Sequence, residues 1–149
     1  MKNIISIFIA LSIFFFGCGE KKTKLYLVNV LEKELFDDAH IPSSIHVPYQ
    51  ELIQQSSSWD KNAEIILYCS NTMCLASGEG VKQLKALGFK NVRAYEDGIA
   101  GWFQAGHDVV GKHQEEYLNY KTGQESVASD EVISTEQLKE LLKKNKFIK

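Results

Sequence analysis

The run Ile65-Ile66-Leu67-Tyr68-Cys69 is apolar without alternation. A strand with one wet face alternates polar and apolar residues, so an unbroken apolar run reads as a strand covered on both faces, the central place in a parallel sheet. Parallel neighbours cannot be joined by tight turns; they need crossovers of about a dozen residues, most often helical. The segments around this run fit that demand. Leu25 to Val30 reads as another buried strand, followed by one helical turn over Glu32 to Phe36. A short strand is expected near Ile45-His46-Val47, and Pro48 permits a helix from Tyr49 to about Gln55, ended by three serines. After Cys69 come the loop Ser70-Asn71-Thr72-Met73-Cys74 and a helix from Leu75 to Leu87. Val81, Leu84 and Leu87 recur there at helical spacing, and Gly88 is a natural stop. Asn91 to Tyr95 is a further short strand, and Gly98 to Gln104 a turn leading into a short helix anchored by Trp102 and Phe103. Strands alternating with helical crossovers imply an α/β class, a three-layer sandwich with a central, mainly parallel sheet flanked by helices.

Composition bounds the rest. With 149 residues, 44% of them hydrophobic, the chain can build one small domain with its own core and not two full ones. A net charge of −2 gives no electrostatic case for nucleic acid. The lysines gathered near the end, from Lys139 to Lys149, read as a solvated helix face.

The first residues read as a targeting signal, 1–17. Lys2 supplies a positive start, and Ile4 to Phe16 form an apolar run without charge. Its length suits a signal-peptide core and falls short of the ~20 residues of a membrane-spanning helix. Gly17-Cys18 follows, and here the segment resembles a bacterial lipoprotein signal, which implies a lipid on Cys18, an extracytoplasmic, periplasm-facing location and a membrane anchor. Phe15 stands where that pattern usually has Leu; an ordinary signal peptide cut nearby is the alternative. Residues 18–23 are then a short polar tether, too charged to join a core.

Cys69 is the candidate nucleophile. A thiol where a buried strand gives way to a helix N-terminus faces free backbone N–H groups and the positive end of the helix dipole, and both favour the thiolate. The bland alternative is an inert cysteine closing a strand. Cys74, five positions on, does not read as a structural staple, because so short a loop constrains little of the unfolded chain.

Residues 24–110 resemble the rhodanese-like domain family in three segments. Asp38-Ala39-His40-Ile41-Pro42-Ser43-Ser44-Ile45 is similar to its "GHIPGA" segment. Tyr68-Cys69 opens what resembles its active-site loop. Gly88-Phe89-Lys90-Asn91-Val92 through Asp97-Gly98-Ile99-Ala100-Gly101-Trp102 is similar to its "LGF-x-NV … GGI-x-AW" close. The resemblance implies a sulfurtransferase-type fold in which Cys69 takes up sulfane sulfur as a persulfide and passes it on. Ser70, Asn71, Thr72 and Met73 would form the substrate-binding loop. The partners implied are a small sulfur donor and a thiol acceptor, including a thiol protein; no cofactor is implied.

Three departures sharpen this. Family members with strong activity commonly carry arginine or lysine in the loop to hold an anionic donor; this loop has no cation, and a charge-assisted contact is roughly twice as strong as a neutral one, so thiosulfate should bind poorly. The same gap argues against the related phosphatases. The usual "D-V-R" after the first strand stands here as Asn29-Val30-Leu31, without its ion pair. Cys74 stands where a donor-binding residue often sits. It is either a resolving thiol that forms a disulfide with Cys69 or a small apolar residue seating the helix. A catalytically silent, partner-binding module is the rival reading.

His40, His46, His107 and His113 show no ligand spacing with the cysteines, so no metal is expected. Asp37 and Asp38 read as loop-capping acids. Residues 111–130 are polar and weakly patterned, expected to be extended or mobile. Ser134-Thr135-Glu136-Gln137 then gives a capping box, and Leu138, Leu141 and Leu142 an apolar stripe through about Lys144. Family members usually begin with a helix resembling "IS-x-E-x-L-x-x-L-L"; here Ile133 to Leu142 is similar to it, displaced to the C-terminal side. Residues 111–149 therefore either begin a truncated second domain, the preferred expectation, or fold back over the first.

Overall fold

A computed structural model describes residues 23–120 and 128–149. Everything expected of residues 1–22, including Cys18, lies outside them. The elements follow in the order β1 (Leu25–Asn29), α1 (Lys33–Asp38), β2 (Ile45–His46), α2 (Leu52–Ser56), β3 (Glu64–Tyr68), α3 (Ala76–Ala86), β4 (Asn91–Tyr95), α4 (Gly98–Gln104) and α5 (Thr135–Lys144). Short 3₁₀ turns occupy Tyr49–Glu51 and Glu116–Asn119. The four strands form one all-parallel sheet in the order β2-β1-β3-β4.

The reasons are local and legible. Ile65, Ile66, Leu67 and Tyr68 are all fully buried, because β3 lies inside the sheet and is covered on both faces. On one face α3 lies so close that a Cβ on Gly80 would stand 2.7 Å from a Leu67 methyl carbon and 2.9 Å from one of Leu52. The Tyr49–Gln55 segment begins as 3₁₀ and becomes α only at Leu52, a tight first turn common at helix starts.

Two regions differ from the sequence expectation. Beyond Val110 the described chain is held against the domain. Buried Asp38 accepts backbone hydrogen bonds from Gln114 (3.0 Å) and Glu115 (3.2 Å) through its carboxylate, and Leu118 is buried. A single buried acid holding two N–H groups supplies what apolar pattern does not.

The second region is the terminal segment. Residues 131–133 run parallel to β4, with Ala94 N–H donating to Glu131 (2.7 Å) and Ile133 N–H to Ala94 (2.9 Å). They extend the sheet past β4. Helix α5, opened by the expected Ser134–Gln137 capping box, then buries Leu138 and Leu142 in the common core with Ile133. Thr135 joins Tyr95 Oη (2.8 Å) and Asp97 (3.3 Å). The segment that resembles a family N-terminus is thus folded back onto this domain, and its apolar stripe is spent there. No helix among the described residues is long and apolar enough to cross a membrane.

Candidate active site

β3 ends at Tyr68, so Cys69 is the first residue past the strand, and it is fully buried. Its backbone is fixed from the far side of the loop. Ile99 N–H donates to the Cys69 carbonyl (3.0 Å) and Ala100 N–H to that of Ser70 (2.9 Å). This docking of the α4 start requires Gly98. At φ +62° a Cβ there would lie 2.6 Å from the Cys69 carbonyl oxygen and 2.7 Å from Ser70 backbone atoms.

The loop itself is folded around Asn71. Its buried side-chain oxygen accepts from Met73 N–H (3.0 Å), and its carbonyl from Cys74 N–H (3.0 Å). Two of the loop amides are therefore spent on the loop and not aimed at an anion. Tyr68 secures the neighbouring segment, accepting from Ile41 N–H (3.0 Å) and sharing a hydrogen bond with Ser44 Oγ (2.7 Å). Burial pushes its phenol up to about 12.

The electrostatics reverse the expectation for the two thiols. The Cys69 sulfur lies 3.1 Å from the Cys74 carbonyl oxygen, 3.9 Å from that of Asn71 and 3.5 Å from Ser77 Oγ. Carbonyl oxygens only accept, so they favour a thiol and repel a thiolate. The neighbouring Cys74 and burial both push the Cys69 thiol above the usual cysteine range. Cys74 moves the other way. It is half-buried, and the hydrogen bond from Cys69 holds it well below the ordinary value, with the Ala76 and Ser70 backbone adding to the effect and desolvation opposing it. The strand-end position alone predicts a Cys69 thiolate; the carbonyl oxygens beside its sulfur favour the thiol instead, and Cys74 is the more acidic of the two.

Cys74 also opens onto a cleft of about 230 Å³ between the loop, α3 and β4. Thr72, Gly78, Glu96 and the terminal residues Glu131 and Val132 help to line it, and Cys69 does not. Met73 and Leu75 project from the loop, 72% and 74% exposed. Of the expected loop residues, Cys69, Ser70, Asn71, Thr72 and Cys74 are thus brought together, Asn71 as a scaffold, while Met73 points away to solvent. Ser77 was missed, although its place one turn into the helix after the loop was a usable signal. Glu131 and Val132 were missed because they lie far along the chain.

The histidines are engaged elsewhere. His40 Nδ1 meets the Phe36 carbonyl and His46 Nε2 that of Leu31, both at 2.8 Å, and both rings lie against Phe36. Asn29, in the place of the family's aspartate, uses Oδ1 to accept from Leu31 N–H (2.8 Å) and thereby turns the chain after β1. Among the described residues no group of three His, Cys, Asp or Glu side chains is arranged to hold a metal.

Comparison with known proteins identifies the family and the fold. The rhodanese-like domain profile matches residues 18–105, more than half the chain. YtwF of Bacillus subtilis, named as a candidate sulfurtransferase, is 30% identical over 83 residues, covering 56% of this chain and 78% of YtwF. The HTH-type transcriptional regulator Rv0324 of Mycobacterium tuberculosis is 29% identical over 83 residues, 56% of this chain and 36% of its own length. The chain likewise spans only 41% of YrkF of Bacillus subtilis, named as a candidate sulfur carrier, at 30% identity over 78 residues and 52% of this chain. Among solved structures, the BH2092 protein of Bacillus halodurans superposes with a TM-score of 0.53 at 26% identity, over 60% of this chain and 65% of that one.

Proposed function

The chain belongs to the rhodanese-like domain family, and on that premise we propose that it relays sulfane sulfur through the two thiols of the Cys69–Cys74 loop, outside the cytoplasm and tethered by lipid at Cys18. The observation that carries the reading is the pair itself: two free cysteines in one loop, the sulfur of one 3.1 Å from the backbone of the other. The sulfurtransferase names among its relatives support the same class of chemistry.

Cys69 is the persulfide carrier in this reading. Loading is an exchange, Cys69–SH + R–S–SH → Cys69–S–SH + R–SH, and an acceptor thiol takes the outer sulfur in the same way. Cys74 offers a second exit. Its thiolate attacks the inner sulfur of the Cys69 persulfide, forming a Cys69–Cys74 disulfide and releasing HS⁻; the persulfide bond is the one that breaks, and its electrons leave on the sulfide. The loop lacks a cation, so a thiosulfate dianion is a poor donor and a small persulfide a better one.

The test is sulfur delivery from persulfide donors to an acceptor thiol by wild type and Cys69→Ser. Delivery should disappear in the variant; equal delivery by both eliminates the enzymatic reading. Lipidation is tested separately, by incorporation of labelled fatty acid that Cys18→Ser abolishes. A second reading, a silent module that binds a partner protein, is favoured by one observation: Met73 and Leu75 are exposed apolar side chains beside a buried Cys69. Failure of the reduced protein to take up sulfur from any donor, with retained partner binding, would support it.

A further inference from the structure

We propose that sulfur enters this loop at Cys74, from a small organic persulfide bound in the cleft beside it, and is then handed inward to Cys69. The inference rests on the relay reading above and reverses the order in which its two thiols act.

Access comes first. Cys69 is fully buried and contributes nothing to the cleft wall, while Cys74 is half-buried and lines it. A donor seated in that cleft therefore meets the Cys74 sulfur. The protonation pattern agrees. Cys69 points its sulfur at two carbonyl oxygens, which favour its protonated form, and of the two thiols Cys74 is the one held below the usual cysteine range. The thiolate is the attacking form, so the exposed sulfur is also the reactive one.

The cleft further selects the donor. Glu79, Glu96 and Glu131 face it against a single lysine, Lys82, so it is net negative. Glu79 pairs with Lys82 (2.7 Å) and Glu131 with Lys85 (2.7 Å), while Glu96 forms no ion pair among the described residues. Such a lining disfavours the thiosulfate dianion more than a zwitterionic persulfide such as cysteine persulfide, whose ammonium offsets its carboxylate.

Both steps balance without an outside oxidant. In the first, Cys74–S⁻ attacks the outer sulfur of R–S–SH, forming Cys74–S–SH and releasing R–S⁻. In the second, Cys69–SH takes that outer sulfur, giving Cys69–S–SH and Cys74–SH, the Cys69 proton ending on Cys74. Ser77 Oγ, 3.5 Å from the Cys69 sulfur, is placed to stabilise the charge that develops there.

The experiment follows reduced protein with cysteine persulfide on the rapid-quench timescale, with fragment-ion mapping to tell the two cysteines apart. In wild type the extra sulfur should appear on Cys74 before Cys69. Cys69→Ser should accumulate it on Cys74, and Cys74→Ser should load Cys69 at least about tenfold more slowly. Loading of Cys69 at the wild-type rate in Cys74→Ser overturns the entry order and leaves the relay reading standing; no sulfur on either cysteine of wild type overturns both. A donor-free measurement guards against misfolded variants. Limiting iodoacetamide at pH 6.5 should alkylate wild type at Cys74 first, and equal or reversed labelling refutes the assignment whatever the donors do.

Discussion

Replacing Leu138 with alanine decides whether the last helix is part of the domain. Leu138 is fully buried in the common core, one turn before Leu142, which is buried as well. Truncating a fully buried leucine costs about 2–5 kcal/mol, a loss of transfer free energy plus the cavity left behind. Stability of a domain this size is about 5–15 kcal/mol, so the change removes a large share of it. With a urea dependence of about 1–3 kcal/mol per molar, the unfolding midpoint should fall by roughly 1–3 M. Trp102 reports the transition well. It is buried and packs edge-on against Tyr95, whose hydroxyl is bonded to Thr135 at the start of α5. Lys144→Ala, at an exposed position on the same helix, is the control and should move the midpoint by less than about 0.5 M. A Leu138→Ala midpoint equal to wild type would refute the reasoning, for the helix would then unfold independently of the sheet. A fall confined to a separate early transition, with the Trp102 signal unchanged, would refute it as well.

Three further outcomes are expected. Gly98→Ala should cost about 3 kcal/mol or more, from a left-handed backbone conformation and from crowding of the two hydrogen bonds that hold Cys69 and Ser70; a loss below about 1 kcal/mol in urea unfolding contradicts the docking described. Tyr68→Phe should cost about 1–3 kcal/mol, because it strips the buried Ile41 N–H of its acceptor, and thermal melting checks it. Stability should also decline as pH rises past about 8.5, because the unfolded Cys69 thiol ionises there while the folded one, its pKa raised, keeps its proton; the unfolded state then binds fewer protons, and the slope is negative. Cys69→Ala should lack that component of the decline between pH 8 and 9.5, and an identical profile in both proteins rules it out.

How far the residues alone led depends on the range of the physics. The unbroken apolar run before Cys69 fixes a strand covered on two faces, and β3 is central and parallel to both neighbours. Gly98 to Gln104 and Ser134 to Lys144 announce their helices through local turn and cap chemistry. The carbonyls beside the Cys69 sulfur carry no such signal. They arise because Asn71 folds the loop back on itself, so two N–H groups that could have met an anion are taken. The cleft wall at Glu131 and Val132 was equally hidden, since pairing with Ala94 joins residues far apart in sequence. Asp38 shows the same limit: its two backbone partners lie 76 and 77 positions away, where the local pattern reads as mere polar chain.

The pairing of residues 131–133 with β4 also orders events during synthesis. Tyr95, the last residue of β4, is made 38 residues before Ile133. At about 5–20 residues per second this leaves the β4 edge unpaired for roughly 2–8 s. An unpaired edge is a template for adventitious strand pairing, and over the same interval the cleft beside Cys74 has no outer wall. On the entry order proposed above, a chain whose last segment has not yet docked exposes Cys74 before the cleft beside it is complete. A chaperone or a thiol-protecting partner would find its widest opportunity in that interval, and a finished molecule would offer it far less.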